Sequence, residues 1–478
     1  MIKKILATLT IIFVLICGLV IFYWRDVQYD PSAEDFLLYL LVLPFAIALL
    51  LLSPWLIYRG YLAYQDQQAA LEQHKQQQVL QQQQHAEQAG LAQKAETQWQ
   101  TLQVYSAHAW SALGEDQSII EALQEFRCAE LDKELCNAHG LQILSYRIQD
   151  LDHHIIEQQD DEQFLSLSIR QQRIKALIQQ QLEQHSAVLW QIAEHIQQST
   201  LFYDGKQSTE YRMHPAWINP NAVSTESASE VRAPQAVSRL DGLHLHLLLP
   251  DNLALTWDQH QHEENLISIF QSLGFESHQF KLDYHFVDAD QAYSKTVQQL
   301  QLAAQISTWV TLLLVADSEI DQEYLDEQAW QQQQYIPAEF AASCCVAAPT
   351  LQVQALEAEQ FLSIANAQPD LRDVLQEAAW LDLPQYEAEQ PFVMILEDMK
   401  QPKVVRQIEQ YFANTAIQQQ HYLLQHDSTG SSKTLAKAYG LLLGLQVQAE
   451  DMALVAELNH TDTHVVLHTG ALNLAQVV

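Results

Sequence analysis

The chain is poor in positive charge. Its 478 residues carry 24 lysines and arginines against 59 aspartates and glutamates, a formal net charge of −35. Such a surface repels phosphate backbones and anionic headgroups, which excludes nucleic acid as a partner of the polar part of the chain. Cysteine is scarce too. Cys17, Cys128, Cys136, Cys344 and Cys345 show no metal-ligand spacing. Cys128 and Cys136 are near enough in sequence to bridge, but thiols of a reducing compartment are the simpler expectation. Between Tyr61 and Gln103 there is no proline and one glycine, Gly90. What is abundant is apolar residue, 48% of the chain, and glutamine, which keeps helices soluble without adding charge.

The apolar content begins with two long runs, Ile5 to Trp24 and Phe36 to Tyr58. Each matches the ~20 residues needed to cross a bilayer. Lys3 and Lys4 precede the first and Arg59 follows the second, so positive charge puts both outer ends in the cytoplasm. A cleaved leader is the alternative. The long first run, the lack of a small-residue cleavage site before Trp24 and Arg25, and the second span oppose it. Residues 1–60 are therefore expected to be a transmembrane hairpin of a bacterial inner membrane, with the rest cytoplasmic. Residues 61–101 read as a Gln-rich helical stalk. Its apolar positions hold no heptad, so it is either a solvated helix or a weak dimerising one.

From Leu102 on, apolar strands alternate with amphipathic helices, which indicates an α/β protein. Strands are expected at Leu102–Tyr105, His244–Pro250, Phe286–Val287, Trp309–Ala316, Leu351–Ala355, Phe392–Leu396, Tyr422–Leu424, Ala453–Leu458 and His464–His468. A turn at Gly114 leads to a helix with Ile119, Ile120, Leu123 and Phe126 on one side. A stripe from Ile174 to Ile196 reads as one helix, and Glu263–Leu273 as another, stopped by Gly274. Residues 205–236, rich in Ser, Pro and Asn, read as a flexible surface insertion. After Val287 a tight turn enters a helix bearing Val297, Leu300 and Ala304. Further helices are expected at Leu371–Ala379 and Val404–Phe412. Cys344 and Cys345 fall in a buried strand and read as core residues.

Four stretches stand out: Ser111, Leu113 and Gly114 at a turn; Ala292, Tyr293, Ser294, Lys295 and Thr296 at a helix start; Ile336, Pro337, Glu339, Ala341 and Ala342 entering a strand; and Thr463 in the closing hairpin. In this order they resemble the β-ketoacyl synthases of the thiolase superfamily, matching its S-x-L-G turn, its nucleophile turn D-T-A-C-S-S-S with Tyr293 at the cysteine, its F-I-P-G-E-G-A-A-A segment and its final hairpin. The resemblance implies a thiolase-like duplicated five-layer αβαβα domain, with halves at 102–350 and 351–478, and a homodimer. It also implies a histidine after Phe392–Leu396, where Glu397, Asp398, Met399 and Lys400 stand, and a second after Thr429 and Gly430, where Ser431 stands. Tyr293, Ser294, Asp398, Met399 and Ser431 thus mark a degenerate site without catalytic residue, cofactor or metal.

Loss of all three groups together points to a pseudoenzyme, since such groups act as a unit. The enzymatic alternative uses Ser294 as nucleophile in a divergent acyltransferase or condensing enzyme; an acyl-group-binding protein is another. The segment STGSSKT (428–434) lacks the glycines of a phosphate loop and reads as a helix start capped by Ser or Thr. His244 with His246, and His260 with His262 beside Glu263 and Glu264, could suggest a metal, but no third ligand follows from spacing and closed sites need three or four, so partly exposed polar histidines are the expectation. The sequence reading is an inner-membrane-anchored scaffold or assembly factor whose protein partners belong to a bacterial envelope complex, with type VI secretion as the preferred setting.

Overall fold

The computed structural model describes residues 17–23, 25–26, 97–157, 164, 167–210, 237–329, 334–354, 356–378, 380, 383–447 and 452–469. The expected hairpin lies outside them except for 17–23 and 25–26, and the expected stalk lies outside them up to residue 96. Among the described residues no helix is long and apolar enough to cross a membrane. The chain divides into two compact units, Met1–Lys94 and Ala95–Val478.

The second unit opens with β1 (Gln98–Ser111), a strand of 14 residues. It is far longer than Leu102–Tyr105 and begins inside the segment read as stalk. The alternation that makes it a strand continues on both sides: Leu102, Val104 and Ala109 face one core, Tyr105 and Trp110 another. A short β2 (Gly114–Glu115) folds back on its end. A hairpin of β3 (Glu130–Cys136) and β4 (Gln142–Ser145), which the sequence reading missed, forms a separate sheet.

Five helices and four strands carry the rest of the first half and its connections. They are α1 (Gln117–Gln124), α2 (Ile169–Gln184), α3 (Ser186–Glu210), β5 (Gly242–Pro250), α4 (Gln259–Ser272), β6 (Phe280–Val287), α5 (Ala292–Gln305), β7 (Trp309–Ser318) and β8 (Glu339–Ala347). The second half contributes β9 (Gln360–Asn366), α6 (Leu371–Glu377), β10 (Val393–Ile395), α7 (Pro402–Phe412), β11 (Tyr422–Leu424), α8 (Ala436–Leu443), β12 (Met452–Ala456) and β13 (His464–His468).

Hydrogen bonding reveals a duplication. The first half pairs in the order β6-β5-β7-β8-β1 and the second in the order β11-β10-β12-β13-β9. Ranked by chain position within each half, both read third, second, fourth, fifth, first. The senses agree as well. The first three strands of each order are parallel, and the last two join antiparallel. β1 couples the halves: residues 98–104 pair with β9 and 103–111 with β8, with a register shift between Val104 and Ser106.

Side-chain alternation then makes layers. The inner faces of both halves (Leu313, Val315, Phe340 and Cys344 from one; Met394, Ala453, Val455 and Val465 from the other) share one core with α5 and α8. The outer face of the first half packs under α2, α3 and α4. That of the second packs under α6 and α7. The sequence of layers is helix, sheet, helix pair, sheet, helix. Close approach of α8 depends on Gly440, where a Cβ would lie 2.5 Å from Gln425 Cγ and 2.6 Å from Leu396 Cδ2.

Several local expectations change. The stripe 174–196 is two helices, broken at His185, whose ring bonds Ser106 Oγ at 2.7 Å and Ser343 Oγ at 2.8 Å. Helix α3 runs to Glu210, so the first six residues of the expected insertion are helical, and 211–236 lie outside the described residues. Of the expected strand Leu351–Ala355, residues 351–354 form none, and 355 lies outside the described residues. Leu351 and Val353 are buried in the outer core without ladder bonds, and the strand is β9. Buried Ser363 interrupts the apolar run of β9 and is satisfied by Thr101 and His468. Helix α8 has Leu435, not Ser or Thr, at its cap.

Candidate functional site

The site grows from the turn after β6. Asp288 Oδ1 accepts the N–H groups of Asp290 at 3.1 Å and Gln291 at 2.8 Å, which closes the turn. Helix α5 starts at once, so Tyr293 lies in its first turn, where free N–H groups and the positive dipole end favour negative charge. No such charge is built there. Tyr293 is 2% exposed, stacks on His460 at 5.4 Å and leaves its hydroxyl without a hydrogen-bond partner among the described residues. Burial, then the proximity of Tyr411, Glu457 and Glu397, push its phenol well above the ordinary value.

The second half supplies the groups around it. Glu397 follows β10, Glu457 follows β12, and Lys437 is the second residue of α8. Lys437 Nζ donates to Glu397 Oε1 at 3.0 Å and also to Glu457 Oε1. Glu457 Oε2 accepts the N–H groups of Asn459 and His460, each at 2.8 Å. Burial raises the Glu397 carboxyl against the opposing pull of Lys437. Burial works against the Lys437 ammonium too, but Glu397 and Glu457 hold its pKa above the ordinary lysine value. This is an ion triad of two buried carboxylates and a partly buried ammonium.

The other expected positions scatter. Ser294 is half-buried and donates to the Gln291 carbonyl at 3.0 Å. The Asp398 carboxylate accepts the Lys400 N–H at 3.0 Å and lies 3.8 Å from His426. Met399 packs on the outer core. Glu397, one residue earlier than expected, is the group near Tyr293. Ser431 joins the Ile336 turn: its N–H donates to the Ile336 carbonyl at 2.8 Å and its Oγ accepts the Ile336 N–H at 3.0 Å. The structure therefore brings two of the sequence motifs together, though not at Tyr293.

A second acidic group ends β7. Asp317 is fully buried and meets Arg170 Nη2 at 3.0 Å, while Arg170 also donates to the Ser318 carbonyl and Asn252 Oδ1. Burial, then the Asp317 charge, raise the Glu319 carboxyl to about 8, with Tyr335, Arg170 and Ser432 beside it pulling the other way. Sequence reasoning missed Glu397, Lys437, Glu457, Asp317 and Glu319. Each is a charged residue at the edge of an apolar run, and that anomaly was the available signal.

His244 and His246 do gain company. β6 pairs with β5 in parallel, His246 opposite Asp283, and His244 Nε2 lies 2.8 Å from Asp283 Oδ2. His260 is exposed, 3.9 Å from Glu264, whereas buried His262 bonds Tyr284 at 2.9 Å. Cys344 and Cys345 are buried as expected, and among the described residues no cysteine is in a disulfide.

No family model and no curated protein matches the chain. Among solved structures it is similar to a PfaC keto synthase–chain length factor, with 11% identity, a TM-score of 0.37 and coverage of 78% of this chain. It spans only 43% of the length of that relative. It is similar to the ketosynthase from module 6 of the bacillaene synthase of Bacillus subtilis 168, with 8% identity and a TM-score of 0.44, covering 78% of this chain and 72% of that one. A third likeness is to the peroxisomal 3-ketoacyl-CoA thiolase of Saccharomyces cerevisiae. That enzyme is described as a five-layered α-β-α-β-α structure of two core domains of identical topology; the identity is 9%, the TM-score 0.30 and the coverage 48% and 83%. These are likenesses of fold, and the duplicated strand order of this chain stands on its own hydrogen bonds.

Proposed function

We propose that this chain is a thiolase-like protein that has given up condensation and works by binding, as a scaffold or assembly factor. The observation that carries the proposal is the filled nucleophile turn. At the helix start where the superfamily keeps a cysteine, a buried tyrosine leaves its hydroxyl unpartnered, with Tyr411, Glu457 and Glu397 in its electrostatic surroundings. Condensation needs a thiolate and basic groups free to move protons. A phenol held well above its ordinary pKa is not a nucleophile at neutral pH, and the facing groups are locked in an ion triad. Ser294 offers no alternative, because its hydroxyl is committed to the Gln291 carbonyl rather than to a base.

The cellular setting remains part of the same proposal. The apolar runs Ile5 to Trp24 and Phe36 to Tyr58 suit an inner-membrane hairpin with a cytoplasmic body, and an envelope complex such as type VI secretion suits such an anchored body. The test uses the full-length chain in detergent, assayed for acyl-thioester hydrolysis and condensation. The expected result is no turnover by the native chain or by Tyr293→Cys, because the neighbouring carboxylates Glu397 and Glu457 are held by Lys437. Turnover abolished by Ser294→Ala overturns the pseudoenzyme reading, and tight acyl binding without turnover replaces scaffold by acyl binder. Crosslinking in cells followed by purification should recover envelope-complex subunits; recovery of none removes the scaffold role.

A further inference from the structure

On the inner face of the first half, β5 and β6 present a ladder of nitrogen and oxygen donors. Leu243, Leu245, Leu247 and Leu249 of β5, and Leu282 and Tyr284 of β6, face the outer core. Period-two alternation therefore turns His244, His246, Asp283 and His285 to the other side. They interleave. His244 Nε2 is 2.8 Å from Asp283 Oδ2, which is 3.9 Å from His246 Nδ1, which is 3.0 Å from His285 Nε2. The rings of His244 and His246 lie 3.8 Å apart, and those of His246 and His285 5.3 Å.

We propose that His244, His246 and Asp283 bind one divalent late first-row transition ion, of the zinc or cobalt type, with His285 as the adjoining nitrogen donor. One donor atom from each of the three lies within 4.8 Å of the others. A tetrahedral ion with bonds of ~2.0–2.2 Å holds its donors roughly 3.4 Å apart, and the observed 2.8 and 3.9 Å bracket that spacing. Imidazole with carboxylate and no thiolate suits zinc, cobalt, nickel or copper; calcium and magnesium prefer all-oxygen sites.

Two lysines share this neighbourhood: Lys281 sits over the Trp309 ring at 4.2 Å, and Lys295 of α5 reaches Gln298 at 3.4 Å. An entry path exists, since the Asp283 side chain is 55% exposed and that of His244 19%. Three protein ligands leave a fourth position for His285 or a water. The inference does not rest on the condensing-site reading.

Titration of the metal-free full-length chain with Co²⁺ tests it. The expected result is a visible tetrahedral absorption band saturating at one ion per chain and displaced by Zn²⁺. His244→Gln and Asp283→Asn, both at partly exposed positions, should each weaken binding by roughly 100-fold or more with an unchanged circular dichroism spectrum. His246→Ala should abolish it. Absence of the band, binding unchanged in Asp283→Asn, or equal competition by Mg²⁺ or Ca²⁺ overturns the assignment.

Discussion

The two halves share a strand order and differ in how they neutralise buried acid. In both, carboxylates follow the strand ranked fourth: Asp317 and Glu319 end and follow β7, and Glu457 follows β12. In the first half the cation is Arg170, from the outer helix α2. In the second it is Lys437, from the central helix α8. The carboxylates of each half also abut the other half's central-helix approach: Glu397 and Glu457 lie near Tyr293, and Glu319 near Ser432. Duplicated topology thus fixes where acid is buried, while the choice of cation decides whether charge converges on the middle layer or is drawn to the outside.

Removing each cation tests that difference, and the largest effect belongs to the outer one. Asp317 is fully buried, so Arg170→Met strands a charge with no water to relieve it and should cost ~3–5 kcal/mol. The Lys437 side chain is 22% exposed, so water screens the same lesson. Lys437→Met should cost ~1–3 kcal/mol. Urea midpoints of the full-length chain report both. A larger loss for Lys437→Met would show that the inner triad, not the outer pair, is the main electrostatic support.

Next in size is a pH effect confined to the first half. Glu319 has a folded pKa of about 8, above its ordinary 4.5. Its protonated form is favoured by folding, so the stability it contributes is complete below pH 4.5 and lost as pH rises through 8. Glu319→Gln keeps the neutral shape without the titration. At pH 5 the variant should match the native chain; at pH 8 it should be more stable by at least ~1.4 kcal/mol, the worth of one pKa unit. Equal midpoints at both pH values would mean that the ionised carboxylate is already paired.

The same contrast explains what was legible beforehand. Tyr422–Leu424 and His464–His468 were readable to the residue, because apolar runs bounded by polar turns carry their own ends. β9 was hidden by Ser363, whose hydroxyl is satisfied by β1 and β13, both far away in sequence. Tyr293 was visible because turn and helix are local. Its neighbours were not: Glu457 hid in an expected strand, and Lys437 in an alanine- and leucine-rich helix. Asp283 and His285 became partners of His244 and His246 only through parallel pairing, whose register spacing along the chain does not specify.

The smallest effect concerns Tyr293, where the two halves meet. Its hydroxyl is buried without a partner, and such a group carries a desolvation penalty of ~1–3 kcal/mol that folding does not recover. Tyr293→Phe keeps the ring and its stacking on His460 while removing the orphan oxygen, so it should be neutral or stabilising by up to ~1 kcal/mol. A loss greater than ~1 kcal/mol, the typical net worth of a hydrogen bond, would mean that the hydroxyl is bonded in solution, with Glu397, whose Oε2 also lacks a partner, as the candidate acceptor. The turn would then hold a phenol and a carboxyl sharing one proton across the two halves. Tyr293 would be part of a working polar site rather than a plug, and the binding-only reading would have to account for it.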